Sequence, residues 1–236
     1  MNNDIEVIAG HANKVLSLAS AQLGEEYYYQ SLPLCVIDAI YSIGVRYEGV
    51  ENTVERYCGA YNLRRIRTTK GALPPIHEQE SVSAFCEKAE QIGSSAMAMD
   101  IFRNRQRTSP RNGILKADAV YRFAIILKKH NIEYLQDISG ATDKPCFVTD
   151  ILSIPGQASG ISLQYFSMLT GSDEFIKPDR MILAYLKSVL GRTVCTSEAQ
   201  ELLAAATELL KVSYQHLTPR LLDHEIWKYQ RDQVTP

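Results

Sequence analysis

Residues 154–180 read "IPGQASGISLQYFSMLTGSDEFIKPDR", and the fold of the 236-residue chain turns on them. Pro155 fixes its own φ and Gly156 can take positive φ, so the pair makes a tight turn that lets another chain come close. Ala158, Ser159 and Gly160 then leave backbone N–H groups at the start of a helix over "ISLQYFSML". The first N–H groups of a helix lack intrahelical acceptors, and with the helix dipole they accept a phosphate oxygen. Pro178 precedes Asp179, an ordinary position for an N-cap, and an amphipathic helix follows. The stretch is therefore a hairpin, a helix and then a single carboxylate at the start of another helix.

Outward from this stretch the dominant period is helical. Val36, Ile37, Ile40 and Ile43 share a face, as do Val120, Phe123, Ala124 and Leu127, and again Ile182, Tyr185, Leu186 and Val189. Strand alternation is not sustained anywhere. Ser31 before Pro33 is a helix start, and Ser81 opens another helix that runs to about Met99. "KGALPPIHEQE" (70–80), "RTSPRNG" (107–113) and "SGATDKP" (139–145) read as loops, and Pro219 stands near the start of a last helix. An all-α protein of about ten or more helices with short loops is expected. There is no internal repeat and no low-complexity linker.

Composition narrows the function classes. The formal charge is -2, so any nucleic-acid surface must be a local patch. No segment approaches the ~18 consecutive apolar residues of a membrane span. The opening "MNNDIEVIAG" has no basic stretch before an apolar run, so no signal peptide is expected. Cys35, Cys58, Cys86, Cys146 and Cys195 are scattered, which fits reduced thiols in a cytoplasmic protein and argues against a zinc site or an iron–sulfur cluster. Neither a metal nor another cofactor is expected.

The segment "FVTDILSIPGQASGISLQYFSML" resembles the helix-hairpin-helix element of the endonuclease III-type DNA glycosylase superfamily, whose pattern is close to LPGVGxxTA. Upstream, "NGILKADAVYRFAIILKKHN" is similar to the helix that precedes the hairpin in that family, and "LPLCVIDAIYSIGVRYEGVENTVERY" to its opening helix pair. Asp179 falls 19 residues after Gly160, close to where the family keeps an invariant aspartate. The resemblance covers residues 31–190. It implies a helical subdomain over 31–170, with the helix-hairpin-helix at about 147–170, and a second subdomain from 1–30 plus 171–236 that carries the aspartate, with a cleft between them.

The departures bear on chemistry. The second hairpin glycine is Ala158, and Gly160 stands where bifunctional members hold a lysine. Without that amine no Schiff base to the sugar can form. Only Cys195 follows Asp179, so the family's cluster cysteines are missing. The resemblance therefore implies monofunctional hydrolysis of the N-glycosidic bond of a damaged or modified base, flipped out of duplex DNA.

In that chemistry positive charge builds on the deoxyribose, and an ionised Asp179 stabilises it and orients the attacking water. Gly156, Gln157, Ala158, Ser159 and Gly160 are expected on the DNA backbone, with Lys177 and Arg180 beside the aspartate. Two basic clusters qualify for phosphates, Arg64, Arg65, Arg67 and Lys70, and the preferred run of Arg103, Arg105, Arg107, Arg111 and Lys116. Tyr27, Tyr28, Tyr29, Asp38 and Tyr41 are candidates for the base pocket, with Tyr47 behind them.

Each feature also has a plainer reading. Asp179 is a good N-cap in any helical protein, Pro-Gly turns commonly join helices, and arginine runs are often solvated faces. The tyrosine triplet reads as core and surface in alternation before it reads as a base sandwich. Asp38, in an apolar helix, needs a partner, such as Arg46 or a distant base. Asp223 shares a helix face with Trp227 and is a possible second carboxylate. The alternatives to a glycosylase are a helix-hairpin-helix DNA-binding protein without catalysis, and a helical interaction protein with no nucleic-acid role.

Overall fold

The structure, a computed structural model, describes residues 2–45, 47–142 and 144–234. Among them lie ten α-helices: α1 (Asn2–Val15), α2 (Leu32–Tyr41), α3 (Tyr47–Tyr61), α4 (Val82–Ala96), α5 (Lys116–Lys129), α6 (Pro145–Leu152), α7 (Ile161–Thr170), α8 (Arg180–Leu190), α9 (Thr196–Leu210) and α10 (Pro219–Val234). Among the described residues there is no strand, and β pairing is confined to two isolated bridges, Tyr29 with Ile66 and Arg107 with Leu115. The protein is all-helical. No described helix is long and apolar enough to cross a membrane.

The chain divides into two compact units. One is continuous, residues 25–170, and holds α2 to α7. The other combines residues 1–24 with 171–236 and holds α1 and α8 to α10. Residues 25–30, expected with the aspartate, belong instead to the hairpin-bearing unit. The Gln30 N–H donates to Arg65 O and the Arg67 N–H to Tyr28 O, both at 2.9 Å, which ties this segment to the chain after α3.

In the continuous unit α2 is the central helix and packs on α3, α5 and α7. Sequence periodicity gave it one apolar face, yet all ten of its residues are buried. A helix apolar all round is stable only when enclosed, and each buried Leu, Ile or Val side chain contributes about 1.5–3 kcal/mol. α4 begins where Ser81 accepts the Ala84 N–H at 3.0 Å, and it continues into a π-helical turn over Met97–Ile101. α5 and α7 meet through Phe123 and Phe166, with ring centroids 4.9 Å apart. α5 and α6 are joined by Asp150, which lies 2.7 Å from both Lys129 Nζ and His130 Nε2.

The other unit packs Ile8 and Ala12 of α1, Tyr185 and Leu186 of α8, Leu203 of α9, and Leu222 and Ile226 of α10 into one core. α8 shows how its sequence sets its limits. Asp179 caps it, and Ile182, Tyr185 and Leu186 are its buried positions at helical spacing. Its last turn is closed by the Gly191 N–H, which donates to Lys187 O.

Candidate functional site

The hairpin occupies residues 153–160, between α6 and α7. Gly156 has φ +87° and Gly160 φ +73°, while Ala158 is not in the left-handed region. A Cβ on Gly156 would lie 2.5 Å from Thr108 Cβ and 2.6 Å from its Oγ1. The close approach that this glycine permits is thus made by the protein's own 106–116 loop. The Gln157 N–H donates to Ile154 O at 2.9 Å, and the Gly160 N–H to Gln157 O at 3.0 Å, so both close turns. The Gln157 side chain is buried and accepts the Ser162 hydroxyl. It does not reach the surface as a backbone-gripping residue. Among the described residues the N–H groups of Ala158 and Ser159 donate to no acceptor, and both residues are exposed.

The loop against Gly156 is compact. The Thr108 N–H donates to Ile114 O, the Lys116 N–H to Gln106 O, and the Arg107 guanidinium to Gly113 O at 2.7 Å. Arg107 and Arg111 on it, and Arg103 and Arg105 just before it, are all exposed, and among the described residues none of them forms an ion pair. The earlier cluster differs. Arg64 faces Glu78, Arg65 faces Glu51 and Glu55, and Lys70 faces Glu25, while Arg67 is buried over the Tyr28 ring.

Lys116 is only 3% exposed. Its ammonium donates to Tyr41 O at 3.0 Å, Ile43 O at 2.8 Å and Gln106 Oε1 at 3.1 Å. It caps the carbonyl end of α2, and this placement does not suit a phosphate ligand.

Asp179 is half-buried at the start of α8, where its Oδ1 accepts the Met181 N–H at 2.8 Å and the Ile182 N–H at 3.3 Å. The segment leading to it is held by side chains from two helices. Gln200 of α9 accepts the Ile176 N–H and donates to Glu174 O. Asp223 of α10 accepts the Lys177 N–H at 2.9 Å. The Arg220 N–H donates to Asp173 O, and its guanidinium pairs with Asp173 Oδ1 at 3.6 Å. Lys177 is half-buried and Arg180 exposed. Burial first, and the neighbouring Asp179 charge second, push the Asp223 carboxyl up to about 8, against the pull of the Lys177 N–H, Lys177 and Arg220.

The base-pocket candidates separate into two groups, both in the continuous unit. Asp38 is fully buried in α2, and its Oδ2 accepts the hydroxyls of Tyr29 at 3.0 Å and Tyr165 at 3.4 Å. Burial and the Asp38 charge raise both phenols well above their ordinary range, so they stay protonated donors. Tyr27 is buried with its ring centroid 6.0 Å from that of Tyr47, and Tyr28 is half-buried beside Arg67. Tyr41 stands apart, edge-on to Phe102, with its hydroxyl donating to Asn104 O. Arg46, the sequence-based partner for Asp38, lies outside the described residues.

The profile of one family, described as Domain of unknown function (DUF8548), matches residues 6–231. The chain belongs to this DUF8548 family. No curated protein and no solved structure matches it. Two contributors to the geometry of this DUF8548 member have little signal in sequence. Tyr165 sits in an apolar helix, and only the need of buried Asp38 for donors points to it. Thr108 meets Gly156 across the fold, and no local pattern marks it. No group of three or more His, Cys, Asp or Glu side chains that could hold a metal ion occurs among the described residues.

Proposed function

We propose that this chain is a helix-hairpin-helix DNA glycosylase-like protein that hydrolyses the bond between deoxyribose and a damaged or modified base in duplex DNA. The observation that carries this reading is the hairpin surface. Among the described residues, two exposed N–H groups without acceptors, at Ala158 and Ser159, lie in the hairpin that adjoins the 106–116 loop, and four exposed arginines on that loop and the chain before it, Arg103, Arg105, Arg107 and Arg111, form no ion pair. Free N–H groups in a turn just before a helix, with arginines beside them, suit a phosphate backbone, and here they give a chain of net charge -2 a local basic patch. Ala158 in place of the second glycine weighs little against it, because that residue does not need positive φ.

Asp179 is the proposed catalytic residue. As the C1′–N bond breaks, the bonding electrons leave with the base and positive charge grows on the sugar. The carboxylate stabilises that charge and orients the water that adds to C1′; a water proton completes the departing base. Its two N–H contacts at the start of α8 fix the orientation of the carboxyl group. A DNA-binding role without catalysis is the second reading, favoured by the same contacts, since capping α8 is a sufficient structural reason for an aspartate.

Base release from duplexes carrying uracil, alkylated, oxidised or hypermodified bases separates the two. Wild type is expected to release at least one of them, and Asp179→Asn to lose about 100-fold or more in rate with DNA binding retained. Salt-sensitive binding without release from any duplex would leave the non-catalytic reading; absence of both would remove the DNA role.

A further inference from the structure

Among the described residues of 171–236, Asp223 is a buried carboxyl group whose side chain contacts the backbone leading into Asp179. Its Oδ1 accepts the Lys177 N–H at 2.9 Å, and the carbonyl of the same residue accepts the Asp179 N–H at 2.6 Å. The acceptor on α10 and the N-cap of α8 are thus joined through one peptide unit on each side of Lys177. Gln200 and Arg220 hold Ile176, Glu174 and Asp173 in the same way, but neither contacts a residue bonded to Asp179 through its backbone.

We infer that Asp223 is a positioning residue for Asp179: it fixes the Lys177 peptide, and through it the direction in which the Asp179 carboxylate points. This rests on the glycosylase reading for its activity readout, though not for its geometry. The two carboxyl groups differ in burial. The one on α10 is 8% exposed and the one on α8 half-buried. The buried partner keeps its proton up to about pH 8, because burial first, and the Asp179 charge second, disfavour its anion. The other groups facing Asp223 are Lys177, which precedes α8, and Arg220 of α10, which pairs with Asp173. His224, next along α10, is held neutral at that pH, because burial first, and then Lys228, Arg220 and Arg231, lower it to about 4.

A neutral carboxyl and an amide carbonyl can both accept one N–H, whereas a methyl group cannot. Asp223→Ala therefore frees the Lys177 peptide, and Asp223→Asn keeps its acceptor while removing the titration. On a duplex from which wild type releases base, Asp223→Ala is expected to lower the single-turnover rate about 100-fold with DNA affinity within threefold of wild type, since misplacement of a reacting group costs rate on that order. Asp223→Asn recovers at least a tenth of the wild-type rate and lacks the step in rate near pH 8 that wild type shows. Equal rates for wild type and both variants would overturn the inference, as would equal loss in both variants. If wild type releases no base, the glycosylase reading fails by itself, and the amide of Lys177 decides the inference. Its proton shift must follow a titration near pH 8 in the full chain, with the midpoint lowered in Asp179→Asn. An amide indifferent to pH, or a midpoint that Asp179→Asn leaves in place, overturns it.

Discussion

Gly156→Ala tests the hairpin at its most constrained point. Two separate costs are built into this position. The backbone has φ +87°, where a Cβ meets the following carbonyl, at a cost of about 1–2 kcal/mol. The new methyl also meets Thr108, with Cβ at 2.5 Å and Oγ1 at 2.6 Å, and such overpacking adds about 1–3 kcal/mol. The total expected is about 2–5 kcal/mol. Gly160→Ala is the internal control. It has φ +73°, but its nearest neighbour is Leu152 Cδ2 at 3.6 Å, an ordinary contact, so only the backbone term of about 1–2 kcal/mol applies. The steric part has a signature of its own. Two atoms are struck: Thr108 Oγ1, which alanine removes, and Thr108 Cβ, which alanine retains and glycine lacks. Thr108→Gly combined with Gly156→Ala therefore recovers the steric term as a coupling of about 1–3 kcal/mol, and Thr108→Ala, which keeps Cβ, recovers only part of it. Hydrogen exchange of the α7 amides reads the local stability without assuming that the two units unfold together. The reasoning is wrong if Gly156→Ala costs no more than Gly160→Ala, or if Thr108→Ala rescues as well as Thr108→Gly.

Three other outcomes are expected. Replacing Arg105 and Arg111 together by glutamine should lower the slope of log affinity for DNA against log salt by about 2 without changing sequence preference, because each lost phosphate contact removes about 0.9; an unchanged slope in a salt-titrated binding assay would exclude the loop from the interface. Lys116→Met should cost about 3 kcal/mol in urea unfolding, since Tyr41 O, Ile43 O and Gln106 Oε1 lose their common donor within the fold. Asp223 has a folded pKa raised to about 8 against about 4 when unfolded, so its favourable contribution is complete below pH 4 and is lost progressively as pH rises to 8; the stability of wild type relative to Asp223→Asn should fall through that window and level off above it, as thermal unfolding across pH will show.

The helical class was legible because helix signals are local. Ser81 does accept the N–H three residues on, Pro219 does open α10, and the apolar spacing of Ile182, Tyr185 and Leu186 does mark the buried side of α8. Burial was less legible. The residues of α2 look one-sided by period alone, since a helix enclosed on every side has no polar face to contrast with its apolar one. Lys116 shows the same limit for charge. In sequence it extends a run of arginines toward solvent, yet its own helix turns it inward onto the end of α2, some 75 residues earlier in the chain.

The candidate site divides along the same line between local and distant information. The turn at Gly156, the cap at Asp179 and the exposed arginines follow from neighbouring residues, and sequence locates them. What holds them does not. Gly156 needs Thr108, Asp38 needs Tyr165, and the approach to Asp179 needs Asp223 and Gln200, each from a different part of its own unit. Asp223 is the sharpest case. On an amphipathic helix a carboxylate is usually a solvated residue, and here α10 carries it into the interior, where burial first, and the neighbouring Asp179 charge second, raise its pKa against the pull of the Lys177 N–H. The proposed catalytic residue is marked by its own turn of chain, and the residue proposed to position it is marked only by the fold. A single carboxylate read from sequence at a site of this kind is therefore a reason to look for its partner among the acidic residues of the helices packed against it.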